Sequence, residues 1–173
     1  MKQLFIVLSF IGLMTACSST KKMQNNYQVL DYNGKKMLKG VINRSLLEND
    51  TAFAWFKESM QYGKPDAAAV TAFQQHKTDF KIVVFGGTWC EDTQNLLPKF
   101  YKLVDQSGYP ESSITLVAVD RAKTTLDNLH VTYNITNVPT FIVLKAGKEV
   151  GRVVEYGKEG DMVKELGAIV SKL

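Results

Sequence analysis

The spacing of apolar positions changes several times along the chain, and each change marks an element. Behind the positive Lys2, Leu4 to Ala16 is an apolar run broken only by small residues such as Ser9, Gly12 and Thr15. It is too short to span a bilayer and has the shape of a secretory signal, assigned to residues 1–16. From Ser18 to about Asn33 the chain is polar, with neither helical nor strand periodicity, and reads as a tether. Residues 34–47 carry a weak signal for a short strand or irregular packing. The tether is bounded at 17–42.

Residues 43–78 read as a helical extension. Phe53, Phe56 and Met60 recur at three- and four-residue spacing, which predicts a helix capped by Asp50 or Thr51 and ended by Gly63. Pro65 suits the first turn of a second helix, running through Ala67 and Val70 to Phe73 and His76. Phe53, Trp55 and Phe56 read as core residues.

The segment 79–173 has the pattern of one α/β domain. Lys81 to Phe85 is a nearly continuous apolar run, as in a strand buried on both faces. Gly86-Gly87 breaks it, and a helical pattern follows from about Cys90 through Leu96, Leu97, Phe100, Tyr101 and Val104 to Gly108. Ile114 to Val119 is a second strand, with a short helix expected near Thr125 to His130. Thr140 to Leu144 and Val150 to Val154 form a hairpin across Ala146-Gly147, and Met162, Val163, Leu166, Ile169 and Val170 stripe a closing helix. The order is βαβαββα, with strand–helix–strand crossovers implying parallel pairing and a central mixed sheet.

Composition alters this picture in one respect. The net charge of +4 comes from scattered Lys and Arg residues without a dense basic run, so no nucleic-acid partner is expected. The chain has only two cysteines, Cys17 and Cys90. The string Leu13-Met14-Thr15-Ala16-Cys17 resembles the lipobox of bacterial lipoproteins, whose cysteine is acylated and becomes the mature N-terminus. The competing reading is a plain signal peptide with a chance cysteine at its end. With Cys17 lipidated, Cys90 is a lone thiol in an oxidising compartment, either buried and inert or kept for its reactivity.

Cys90 lies in Phe85-Gly86-Gly87-Thr88-Trp89-Cys90-Glu91-Asp92-Thr93, where a buried strand turns into a helix. The first N–H groups of a helix lack internal partners and its dipole is positive there, which favours a thiolate, the form that attacks disulfides. Glu91 and Asp92 oppose that charge. His76 and His130 are far apart in sequence and form no metal-ligand spacing with Cys90, so no metal or other cofactor is expected. Asp120 and Arg121 read as turn and surface residues.

The segment resembles the Trp-Cys-x-x-Cys site of the thioredoxin family, with Thr93 in place of the second cysteine. Pro98 falls where that family carries a helix proline, Val138-Pro139-Thr140-Phe141 resembles its cis-proline loop, and Lys145 to Val150 resembles its hairpin, with Gly157 near a usual glycine. The wording around Cys90 also resembles a subgroup of envelope thioredoxin-like proteins of Bacteroidetes-type bacteria. The resemblance implies a thioredoxin-like fold, Cys90 as nucleophile, and Trp89, Val138 and Pro139 as a wall and edge for an extended substrate. Thr93 would offer its hydroxyl to Cys90. Two departures, Thr93 for the resolving cysteine and Val84 for a buried acid, argue against an ordinary dithiol reductase.

The expectation is therefore a lipid-anchored protein facing the periplasm, using one cysteine for thiol–disulfide exchange. Its partners would be envelope protein disulfides or low-molecular-weight thiols, with an external reductant. The alternatives are a non-catalytic peptide-binding module and, more weakly, a peroxide-reducing protein, for which Gly87 stands where a Thr is needed.

Overall fold

The computed structural model of the chain describes residues 26–173, so residues 1–16, expected to be a secretory signal, and Cys17 lie outside the described residues. Among the described residues six strands make one mixed sheet: β1 (Asn26–Tyr32), β2 (Lys35–Ile42), β3 (Lys81–Gly86), β4 (Ile114–Ala118), β5 (Thr140–Lys145) and β6 (Lys148–Val154). Their spatial order is β1-β2-β4-β3-β5-β6. The helices are α1 (Arg44–Asn49), α2 (Ala54–Ser59), α3 (Ala67–His76), α4 (Glu91–Ser107), α5 (Leu129–Thr132) and α6 (Met162–Val170).

The central strand β3 has β4 parallel on one side and β5 antiparallel on the other. Its Ile82 and Val84 enter one core and its Val83 and Phe85 another. This is why the run carries no polar alternation. The larger core gathers Phe56, Phe73, Phe100, Phe141 and Leu166 beneath α2, α3, α4 and α6. Burying each such aromatic contributes about 2–3 kcal/mol of transfer free energy. The smaller core, on the other face, holds Val41, Val117, Val119, Ile135, Val138 and Ile142, and Trp89 and Cys90 pack against it.

The order βαβαββα and the mixed sheet of a thioredoxin-like fold are both present from β3 onward. One pairing differs from expectation. The connection from β4 to β5 contains only a 3₁₀ turn and the four-residue α5. It returns the chain antiparallel to β3 rather than as a second parallel crossover.

The larger correction concerns the tether. Residues 26–42 form a hairpin, and β2 pairs antiparallel with β4, extending the central sheet by two strands. Asn33 and Gly34 both adopt positive φ (52° and 74°), as the tight turn of a two-residue hairpin loop requires. In the helical extension, Thr51–Phe53 is a 3₁₀ turn capped by Asp50, and α2 follows it as a separate short helix. Pro65 precedes the cap of α3 instead of lying in its first turn, because the Asp66 side chain accepts the Ala69 N–H. The unforeseen α1 is capped by Asn43 and tied to α4 by Arg44, which forks onto Asp105 and stacks over Tyr101.

Two features bind the hairpin to the body. Gly40 has φ +115°, and a Cβ there would lie 2.3 Å from the Asn26 carbonyl oxygen and 2.8 Å from a Leu126 methyl, so only glycine lets β1 and the turn after β4 close around β2. Lys39 Nζ donates to Asp120 Oδ2 at 2.7 Å and to Thr124 Oγ1 at 2.6 Å, joining β2 to that same turn. Burial disfavours the Asp120 charge, but the bonds from Lys39 and from the Thr124 hydroxyl and amide outweigh it and hold the carboxyl below its usual range.

Gly40→Ala should destabilise the protein by about 1–3 kcal/mol through backbone strain and clash. Urea unfolding measures this, and a loss within about 0.5 kcal/mol would show that the hairpin packs more loosely. Asp120→Asn should cost about 1–2 kcal/mol at neutral pH. A depressed folded pKa gives stability that is full above the unfolded value of about 3.9 and is lost as pH falls through the folded one. The gap between wild type and Asp120→Asn should therefore shrink in unfolding curves taken below about pH 4.

Candidate functional site

β3 ends at Gly86, and the chain reaches α4 through Gly87, Thr88 and Trp89, with Cys90 as the helix N-cap. The turn is closed by the Cys90 N–H donating to the Gly87 carbonyl at 2.9 Å. The Cys90 carbonyl accepts the Gln94 N–H at 2.9 Å, the first bond of the helix. The Cys90 side chain makes no capping bond, so the sulfur is left for other contacts. The thiol is half-buried and donates to the Val138 carbonyl at 3.4 Å. The Val138–Pro139 bond is cis, and this loop enters β5 directly beside the thiol.

Trp89 forms one wall. Its indole N–H donates to the Val119 carbonyl at 2.9 Å, fixing the ring against the turn after β4. Gly87 makes this possible, since a Cβ at that position would come within 2.7 Å of the indole. Glu91 and Asp92 occupy the first turn of α4, where they favour the helix through its dipole while adding negative charge beside the sulfur.

Thr93 is buried, and its hydroxyl accepts the Gly87 N–H at 3.1 Å. It thus serves the strand-to-helix turn as an acceptor, and no hydrogen bond joins its hydroxyl to Cys90 among the described residues. Val84 is fully buried in the larger, apolar core. The structure brings Cys90, Trp89, Val138 and Pro139 together; Cys17 lies outside the described residues.

The histidines are engaged elsewhere. His76 faces Asp79 at 3.1 Å at the end of α3, and His130 Nδ1 accepts the Thr125 N–H at 3.2 Å. Among the described residues no group of His, Cys, Asp or Glu side chains is placed to hold a metal ion.

Other residues around the site were not foreseen. The Thr88 hydroxyl accepts the Leu38 N–H at 3.2 Å, which ties the site loop to the hairpin. Arg121 stacks over Trp89, with its guanidinium carbon 4.3 Å from the ring centre, and 5.0 Å from the ring centre of Tyr32 in β1. The sequence signal for this was the Asn33-Gly34 pair, which marks a hairpin able to carry Tyr32 to the site.

The family model described as Thioredoxin matches residues 67–168, from α3 into α6. Thioredoxin H2 of Arabidopsis thaliana is 28% identical over 58% of this chain and 69% of its own length. Thioredoxin H9 of the same plant is 30% identical over 55% of this chain and 64% of its own. Among solved structures, a Pseudomonas aeruginosa protein of unknown function aligns with a TM-score of 0.55 at 18% identity. That alignment covers 78% of this chain and 93% of the other, and it supports the fold alone. The matched span takes in the central strand, the Cys90 helix and the cis-proline loop, and the chain belongs to the thioredoxin family, whose module is of the thiol–disulfide oxidoreductase kind.

Proposed function

We propose that the protein is a single-cysteine thiol–disulfide exchange protein of the bacterial envelope, held at the membrane by lipid on Cys17 and facing the periplasm. The observation that carries this reading is Cys90 at the N-cap of α4, half-buried between Trp89 and the cis-proline loop. In the exchange, the Cys90 thiolate attacks one sulfur of a substrate disulfide. A Cys90–substrate disulfide forms, the original S–S bond breaks, and the second substrate sulfur leaves as a thiolate. An external thiol then attacks the mixed disulfide and returns Cys90 to its reduced form. No internal thiol can do this, since the chain's other cysteine is Cys17. The cycle suits isomerisation or removal of a small-thiol adduct better than net reduction. Extended substrate would lie along Val138 and Pro139, with Trp89 shielding the reacting sulfurs from water.

A second reading keeps the peptide edge and drops the chemistry. Thr93 in place of a second cysteine and Val84 in the apolar core favour it, because neither can move a proton or expel an adduct.

Glutathione-dependent turnover of a peptide disulfide separates the two. Turnover should vanish in Cys90→Ser, and equal turnover in both proteins would leave only the binding module. Thr93→Cys should release bound substrate without added thiol, which mass spectrometry of the Cys90 adduct would follow. The same variant should lose about 0.5–1.5 kcal/mol of stability with the Gly87–Thr93 hydrogen bond. For the anchor, Cys17→Ala should move the protein from the membrane to the soluble fraction of lysed cells; unchanged fractionation would remove the lipid from the account.

A further inference from the structure

The β1–β2 hairpin and the loop preceding Cys90 enclose a groove of about 530 Å³ that starts at Trp89 and runs to the hairpin tip. Lys35, Lys36 and Arg121 line it, and no carboxylate does. Lys36 is answered by Asp50 at 2.7 Å, outside the lining. The nearest acid in sequence to Arg121, Asp120, is taken up by Lys39 and Thr124. Arg121 makes no hydrogen bond or ion pair among the described residues; its ring contacts with Tyr32 and Trp89 are what fix it.

Stacking uses the faces of a guanidinium. Its five N–H donors lie in the plane and stay available along the edge, in the fork that matches a carboxylate. Two rings therefore orient this cation without neutralising it. Trp55, in the same wall, has a buried indole N–H with no acceptor among the described residues, which adds to the groove's shortage of acceptors.

We propose that this groove is a specificity subsite for an acidic, extended polypeptide segment flanking the disulfide of a substrate protein, with Arg121 as its central carboxylate-binding residue. The inference rests on the exchange reading above, since it places the acidic segment next to the sulfur that Cys90 attacks. It assigns the hairpin, which lies ahead of the span matched by the family model, the task of selecting substrates. The groove begins one residue before Cys90, so a chain whose cysteine reaches the thiol can lay its neighbouring residues along it.

The test uses the full chain carrying Cys17→Ser, in detergent, so that Cys90 is the sole thiol. The probes are cysteine peptides disulfide-bonded to a coloured aromatic thiol, flanked by Asp and Glu or by Asn and Gln. Cys90 takes the peptide sulfur, and the aromatic thiolate leaves with the bonding electron pair, giving a second-order rate from absorbance. The acidic peptide should react on the order of fivefold faster at low salt, and added salt should shrink the ratio. Arg121→Glu should abolish or invert that ratio and Lys35→Glu should lower it. Lys148→Glu, the same charge reversal on the opposite edge strand, should preserve it. Equal rates for the two peptides in the parent protein, or a ratio that survives Arg121→Glu, would overturn the subsite. So would a ratio lost equally in Lys148→Glu, which would reduce it to net charge. If Cys90 reacts with neither peptide, the exchange reading fails. The subsite then stands or falls on a fluorescent acidic peptide bound to Cys90→Ser: weaker binding in Arg121→Glu supports it, and unchanged binding removes it.

Discussion

A strand covered on both faces cannot carry polar side chains, and β3 obeys this constraint along its inner length, where Ile82, Val83, Val84 and Phe85 are divided between two cores. Its main chain is satisfied by β4 on one side and β5 on the other. The position of the strand's end is therefore set by packing throughout the molecule. The chain leaves β3 at Gly86 and must turn at once into α4, whose Leu96, Leu97, Phe100 and Val104 roof the larger core. Cys90 sits at the point where these demands meet. Its placement follows from burying the strand and helix on either side of it, and the hydrogen bonds from the Cys90 amide to Gly87 and from the Gly87 amide to Thr93 close the turn between them.

The surroundings of the thiol come from three further parts of the chain, each delivered by the same sheet. β5 brings the cis-proline loop, the turn after β4 brings Val119 to the Trp89 indole, and β2 brings the Leu38 amide to Thr88. The hairpin is thus joined to the site both through the sheet and through side chains. Lys39 bridges to Asp120, and Tyr32 shares Arg121 with Trp89. Each contact is modest by itself, and most lie near the surface, where ion pairs contribute about 0–1 kcal/mol. Their common location gives the site a wall that the family's matched span does not include.

The parts of this arrangement that were legible in the sequence are those where burial imposes a period. β3 and the hairpin of β5 and β6 stood out as apolar runs, and α4 and α6 as helical stripes. The motif around Cys90 and the Val138-Pro139 pair located the site by resemblance. β1 left only the Asn33-Gly34 turn as a signal, because all but one of its residues are exposed: an edge strand held by main-chain bonds to β2 leaves no alternation to read. The six-residue α1 is too short to show a stripe, and its evidence is a single cap at Asn43. Arg121 read as a surface residue, and it is one. Its role depends on Tyr32, which the unseen hairpin carries across, so no inspection of residues near 121 would have found it. The aim of the Thr93 hydroxyl depended on the Gly87 amide, six residues earlier and turned inward by the same tight turn.

Threonine at position 93 has a consequence for time as well as for geometry. In a site with two neighbouring thiols, an adduct is expelled by the second thiol of the same chain, so its lifetime is an internal constant of the protein. Here the atom in that place is a hydroxyl bonded to the backbone. Under the proposed exchange, with Cys17 carrying lipid, an adduct on Cys90 would persist until a thiol from outside arrives, and its lifetime would scale inversely with the concentration of that thiol. The occupancy of Cys90 would thereby become a record of how much free thiol its surroundings contain.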